Sequence, residues 1–314
     1  MKIVLQYRAS PGFRRNLAEA FDGWSELSVV DETDEATFTT LMAEAEVLLH
    51  VLKPVTAQVI AGAPKLRLVH KLGVGVNTID LEAARARGIQ VANMPGSNSQ
   101  AVAEMTLMLM LATLRRAAYF DRITRAGEGW RPDLDLLDSS GEICGRTVGF
   151  FGFGSVPSRL APALTALGAE VIYTARSPKP EAPYAFVGLD ELLARADILS
   201  LNAPATPETR GLIGAAALAR MKPGAMIVNT ARGELIDETA LAAAIRSGHI
   251  AGAGLDVFAA EPAGADNPLF ALPQVVVAPH IAWLTPETLK RSIAIARENC
   301  RRLAAGEALV NRVV

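Results

Sequence analysis

The sequence is poor in the residues that dedicated metal or cross-link chemistry needs. Only Cys144 and Cys300 are cysteines among 314 residues. Neither has a CxxC partner or a histidine beside it, which argues against a disulfide scaffold and a metal site such as zinc and reads as two reduced thiols in a cytoplasmic protein. Excess charge of one sign is also missing. Lysine and arginine number 31 against 33 acids, for a net charge of −2. That balance carries no footprint for nucleic acid or an acidic membrane, so an anionic ligand must be met by local arginine and lysine. Nor is there a long hydrophobic run. The most apolar stretch, residues 105–114 (MTLMLMLATL), falls far short of the roughly 20 residues that span a bilayer, and the N-terminus MKIVLQYR lacks the features of a signal peptide.

What is present is a repeating alternation of apolar runs and helical stretches. Strands are expected at 2–7, 47–52, 66–72, 89–93, 147–153, 170–176, 197–202, 225–231, 251–258 and 274–280. Most lack polar alternation, and Ala/Leu-rich helical segments such as 80–88 and 237–248 separate them. Such strands belong to parallel sheets covered on both faces, so the fold class is α/β and doubly wound. The pattern breaks at 94–100 (MPGSNSQ), where the chain is expected to cross between domains. One long helix is expected over 101–126, then a polar loop over 127–146 with few core residues. A final helix near 286–305 has no strand after it and could pack back on the first domain.

The run Val148 to Pro157 reads strand, glycine-rich turn, helix. Gly152 permits the tight turn, Gly154 lets backbone approach a pyrophosphate, and the helix opening near Ser155 points amides at it. Pro157 replaces the usual third glycine, which the first helical turn tolerates. Pro162 should kink that helix. The following strand ends Tyr173-Thr174-Ala175-Arg176-Ser177. Ala175 stands where an acid would bind a ribose 2′-hydroxyl. Arg176 and Ser177 suit a 2′-phosphate instead, so NADP(H) is expected over NAD(H), with NAD as the lesser alternative.

Four histidines exist. His50 and His70 lie on apolar strands and read as core residues, and His249 sits in a polar turn and reads as surface. His280 ends a strand, where open α/β sheets bind ligands. Arg232 and Glu261 follow two other strands. Hydride transfer to a 2-oxo acid needs a guanidinium for the carboxylate, a proton donor for the alkoxide, and a carboxylate that holds the donor and favours its imidazolium. Arg232, His280 and Glu261 fit those roles. Lys53, Lys71 and Trp283 are candidate substrate-pocket walls.

Together, residues 73–104, GFGSVP (152–157), NTARGELID (229–237), GLDVFAAEP (254–262) and APHIAW (278–283) resemble the D-isomer-specific 2-hydroxyacid dehydrogenases. The resemblance implies two Rossmann-like domains with the active site in the interdomain cleft. The substrate domain would be discontinuous, 1–98 with 286–314, and the dinucleotide-binding domain would be 99–285. It places Arg232, Glu261 and His280 at the catalytic positions and Val74 and Gly75 at the turn that binds the substrate carboxylate. Gly152, Phe153, Gly154, Ser155 and Val156 match the cofactor loop. Thr230, Ala231, Arg232, Asp256 and Ala282 match the nicotinamide side. Asn202, Ala203, Pro204 and Thr209 match the adenosine side, although a histidine often stands where Asn202 does. The helix after residue 100 and the loop 127–146 resemble a dimerisation arm and imply a homodimer. Glutamate at 261, where formate dehydrogenases carry glutamine, supports keto-acid reduction. The overall look is nearest glyoxylate/hydroxypyruvate reductases, with 3-phosphoglycerate or another 2-hydroxyacid dehydrogenase as the alternative. A nucleotide-sensing corepressor is a further alternative.

Overall fold

A computed structural model describes every residue except Ser139. The chain divides into two compact units, residues 1–98 with 284–314, and residues 99–283. The first unit opens β1 (Lys2–Gln6), α1 (Pro11–Phe21), β2 (Glu26–Val30), α2 (Glu35–Met42), β3 (Val47–His50), α3 (Ala57–Ala61), β4 (Leu68–Lys71), α4 (Leu81–Ala86) and β5 (Gln90–Ala92). The second contains α5 (Ser99–Leu114), α6 (Ala117–Arg125), α7 (Leu134–Asp138), β6 (Thr147–Phe151), α8 (Ser155–Ala166), β7 (Glu170–Thr174), β8 (Ala185–Phe186), α9 (Leu189–Arg195), β9 (Ile198–Leu201), α10 (Ala215–Arg220), β10 (Ala225–Asn229), α11 (Glu238–Arg246), β11 (Ile250–Leu255) and β12 (Val275–Val277). Helix α12 (Pro286–Ala305) returns to the first unit.

Both sheets are wholly parallel. The first has the order β2-β1-β3-β4-β5, the second β12-β11-β10-β9-β6-β7-β8. In each, the strand order reverses near the first strand of the unit, which places ligand-binding loops at the carboxyl ends of the central strands. Strands β3, β4, β6, β9 and β10 are buried along their whole length, as expected of strands with helices on both faces. Side-chain caps start many of the helices. Ser10, Thr56, Asp80, Asp237 and Thr285 each accept an amide of the first turn. Helix α12 shows the full set of signals: Thr285 as cap, Pro286 in the first turn, and Gly306 at φ 70° closing the end. It packs on α1, and Asn299 donates to His70 Nε2 at 2.9 Å.

Several expectations need correction. The single helix over 101–126 is two helices, broken where Arg116 adopts a left-handed φ of 52°. The stretch 127–146 is not only a polar loop. It contains α7 and buries Leu136 and Ile143, while its Ser139 lies outside the described residues. Helix α8 continues through Pro162, the residue expected to kink it. Pro162 and Ser158 are both exposed, on the side of the helix where water can take the place of the missing donor. His249 is partly buried rather than free on the surface, with its Nε2 3.0 Å from the Leu218 carbonyl. Two strands had no expectation: β2, whose ELSVV is half-exposed at a sheet edge, and the two-residue β8.

Candidate functional site

Strands of the second sheet end two or three residues earlier than their apolar runs. Phe151, Thr174, Leu255 and Val277 are the last ladder residues, and the segments beyond them form loops. Those loops carry the residues that the sequence singles out.

Asn229, the last residue of β10, is fully buried and organises the turn that follows. Its Nδ2 donates to the Arg232 carbonyl at 2.8 Å, and its Oδ1 accepts the Ala231 amide at 3.0 Å. Arg232 emerges from that turn partly buried, and the loss of water lowers its guanidinium pKa. Gly233 follows. A β-carbon there would lie 1.9 Å from the Phe258 carbonyl carbon, so only glycine lets the Arg232 turn meet the loop beyond β11. That second loop begins at Asp256, which is fully buried. Its carboxylate accepts the amides of Ile281 and Ala282, both at 2.9 Å, and its carbonyl accepts the His280 amide at 2.7 Å. Burial pushes the Asp256 pKa up, against the lowering effect of those two amides. The loop after β12 is thus fastened to the loop after β11.

His280 sits in that fastened loop at φ 55°, a left-handed conformation uncommon outside glycine. Its Nδ1 lies 2.6 Å from Glu261 Oε2, and Glu261 Oε1 accepts the Phe258 amide at 2.9 Å. Desolvation works to raise the Glu261 pKa. The hydrogen bond from His280, the Phe258 amide, and the charges of His280 and Arg232 outweigh it, and the net shift is downward. Because the carboxylate accepts from Nδ1–H, the imidazole Nε2 is the nitrogen left for a substrate. Trp283 donates its indole N–H to the His280 carbonyl at 3.1 Å and is buried there. It therefore supports the loop from beneath.

The glycine-rich loop lies between β6 and α8. Gly152 has φ 92°, and a β-carbon on it would meet Asn202 and Ala203 backbone at 2.8 to 2.9 Å. The expected adenosine-side segment therefore abuts the expected pyrophosphate loop. Asn202 turns its amide onto Ser200, and Thr209 closes the segment by donating to the Pro204 carbonyl at 2.8 Å. At Gly154 a β-carbon would point into open space, and no side chain caps α8. Pro157 removes one donor of the first turn, and Ser155 and Val156 retain theirs. An open, uncapped helix start after a close-packed glycine fits a dinucleotide pyrophosphate. Phe153 is buried between the two glycines, and the Ser155 hydroxyl meets that of Ser99 at 2.7 Å. Thr230 is tied to Thr106 of α5 at 2.7 Å. Ala175 is half-buried at the end of β7, and Arg176 and Ser177 are exposed beyond it.

In the first unit, the turn after β4 carries Val74 and Gly75. Met94 donates its amide to the Gly73 carbonyl, and Asn93 donates its side chain to the Val74 carbonyl, each at 2.8 Å. A trans peptide points its N–H opposite its C=O, so fixing these two carbonyls sets the directions of the Val74 and Gly75 amides. Lys53 is committed to Glu35 and to the Glu32 carbonyl. Lys71 is buried with its ammonium on the Val51 carbonyl. Burial holds His50 down to about 3, with the Lys71 charge as a second cause, and holds His70 down to about 4. Both are neutral core residues.

The structure thus brings Arg232, Glu261, His280, Asp256, Ala282 and Trp283 into one set of adjoining loops, and Gly152 to Val156 with Asn202 to Pro204 into another. Asn229 and Gly233 were not singled out from the sequence, although an Asn-x-x-Arg-Gly run after a strand is a turn signal. Among the described residues no group of three His, Cys, Asp or Glu could hold a metal ion, and no helix is long and apolar enough to cross a membrane.

Residues 107–282 match the family profile described as D-isomer specific 2-hydroxyacid dehydrogenase, NAD binding domain. The chain is 44% identical to D-3-phosphoglycerate dehydrogenase of Mycobacterium leprae over 287 residues, 90% of this chain. It spans about half of that relative, 53% of its length. It is 39% identical to glyoxylate reductase of Aeropyrum pernix over 313 residues, covering 94% of this chain and 92% of that one. Among solved structures, the TT0316 protein of Thermus thermophilus superposes with a TM-score of 0.90 at 37% identity, over 100% of both chains.

Proposed function

The chain belongs to the D-isomer specific 2-hydroxyacid dehydrogenase family, and on that premise we propose that it reduces a small 2-oxo acid of the glyoxylate/hydroxypyruvate class, preferring NADPH, as a cytoplasmic homodimer. What carries this reading is the 2.6 Å contact between Glu261 and His280 Nδ1, with the partly buried Arg232 close enough for its charge to act on Glu261. The nicotinamide supplies the hydride. Arg232 holds the substrate carboxylate and polarises its carbonyl. His280 donates the Nε2 proton to the alkoxide oxygen as it forms, and Glu261 stabilises the imidazolium before that transfer. Gly152 to Val156 would hold the pyrophosphate of the bound cofactor.

Ala175 and Arg176 support NADPH, since no carboxylate at the end of β7 repels a 2′-phosphate and a guanidinium stands ready to bind it. Helix α5 supports the dimer. It is apolar nearly all round, and its outward Met108 and Leu111 remain 44% and 40% exposed, as does Trp130 at 95%. Such a face calls for a partner.

The relatives that are 3-phosphoglycerate dehydrogenases favour a second reading, oxidation of a phosphorylated hydroxy acid. The engagement of Lys53 by Glu35 and of Lys71 by a carbonyl weighs against a phosphate dianion at those residues. A rate panel of glyoxylate, hydroxypyruvate and 3-phosphohydroxypyruvate against NADPH and NADH tests both readings. Fastest turnover of glyoxylate or hydroxypyruvate with NADPH is expected. Preference for the phosphorylated acid would install the second reading, and no turnover at all would favour a sensing role.

A further inference from the structure

The loop that carries Arg176 is fastened by a buried residue with no role in the chemistry above. Tyr173 is 1% exposed, in β7 between Phe150 of β6 and Phe186 of β8. Its ring packs at a tilt of 38° against Phe153, the residue between the two glycines of the cofactor loop, with centroids 4.4 Å apart. Its phenol oxygen leaves the sheet and accepts the Lys179 amide at 2.7 Å, with the Lys179 carbonyl at 3.4 Å. Ala182 donates to the same carbonyl at 3.0 Å. The segment 175–179 is therefore a short crest, tied at one end to the strand and at the other to a side chain of that strand. Pro178 and Pro180 restrict it further. Arg176 and Ser177 form the crest, and both are exposed.

We propose that Tyr173 is a positioning residue for cofactor selection, its phenol holding Lys179 so that Arg176 and Ser177 present a preformed site to a 2′-phosphate. This rests on the NADPH reading above. The physical reason is that an exposed arginine on a free loop must be ordered when it binds, at a cost that a fastened crest has already met in folding. The packing against Phe153 gives the same residue a second function, setting the crest against the pyrophosphate loop, and that part does not distinguish the two cofactors. The hydroxyl alone does.

Tyr173→Phe keeps the ring and removes the acceptor. In the full-length chain, the KM for NADPH is expected to rise about three- to tenfold more than the KM for NADH, the scale of one lost neutral hydrogen bond. The kcat with NADPH at saturation and the melting temperature are expected to change little. Equal changes in both KM values, or none, would overturn the proposal. Should that variant fold poorly, Lys179→Pro against Lys179→Ala asks the same question from the other partner. Only the proline removes the amide, so a selective NADPH defect in Lys179→Pro beyond that of Lys179→Ala supports the clamp, and matching behaviour refutes it. Arg176→Ala separates the two levels of the argument. If it raises the KM for NADPH selectively while Tyr173→Phe does not, the clamp fails and the cofactor reading stands. If Arg176→Ala shows no selectivity, the cofactor reading itself fails.

Discussion

The two units put histidine on the same kind of element and obtain different residues from it. In the first sheet, His50 and His70 lie within β3 and β4, and both are almost wholly buried. His50 faces the Lys53 carbonyl at 2.7 Å, and His70 meets Asn299. Their acceptors and donors come from carbonyls and an amide, and desolvation keeps them neutral. In the second sheet, His280 stands three residues past the end of β12, partly exposed, with a carboxylate on Nδ1. Strand position alone does not make an acid–base group. On the proposed reading, His280 is fitted for that role by leaving the ladder, turning through a positive φ, and meeting an ionised partner that leaves Nε2 for substrate.

The largest effect expected from that contrast is on His280→Ala. It should lower kcat by about 10²- to 10⁴-fold, the usual contribution of a positioned acid, with the melting temperature nearly kept. Steady-state kinetics with the best 2-oxo acid measure this, and normal activity would break the comparison at its centre. Glu261→Gln comes next. It replaces a charge-assisted hydrogen bond, worth about 1.5–3 kcal/mol, by a neutral one worth about 0.5–1.5 kcal/mol, so kcat should fall roughly five- to tenfold. A smaller loss would mean that Glu261 only orients the ring. Gly233→Ala tests the loop architecture. The added β-carbon meets Phe258 and Ala259 backbone, so denaturant unfolding should show about 1–3 kcal/mol of lost stability, together with a drop in kcat. Loss of stability with full activity would show that the Arg232 turn can shift without consequence.

These predictions also mark what the sequence made legible. The parallel α/β plan and the positions of most strands follow from apolar runs, because buried strands leave a continuous signal. Strand β2 escaped because at a sheet edge its Glu26 and Ser28 carry polar groups that a central strand excludes. The break at Arg116 escaped because no glycine or proline marks it. It lies where the Arg116 guanidinium comes within 2.8 Å of the position a Gly252 β-carbon would take, a tertiary contact with β11 that no local pattern encodes. At the candidate site, residue type and strand-end position point to Arg232, Glu261 and His280, which the structure brings into adjoining loops. Nothing of that kind points to the residues that aim them. Asp256 reads from the sequence as a cofactor neighbour, yet its two oxygens are taken by the Ile281 and Ala282 amides. Asn229 and Gly233 act through backbone geometry, which has no signature at the level of composition.

The smallest effect concerns the other half of the comparison, and its sign follows from the pKa directions. His50 and His70 have ordinary values near 6.5 in an unfolded chain and about 3 and about 4 in the folded one. As pH falls below about 6.5, the unfolded state takes up protons at both while the folded state does not. Their contribution to stability is therefore intact above that pH and is lost as pH falls toward the folded values. Each histidine makes the unfolding free energy fall by about 1.4 kcal/mol per pH unit within that window. Urea unfolding at pH 7 and pH 5.5 should show this loss before most carboxylates titrate. In His50→Gln, whose amide can still donate to the Lys53 carbonyl, the fall should be about half as steep. An unchanged slope would mean that His50 is reached by protons in the folded state, and the line between core histidines and the working one would have to be drawn elsewhere.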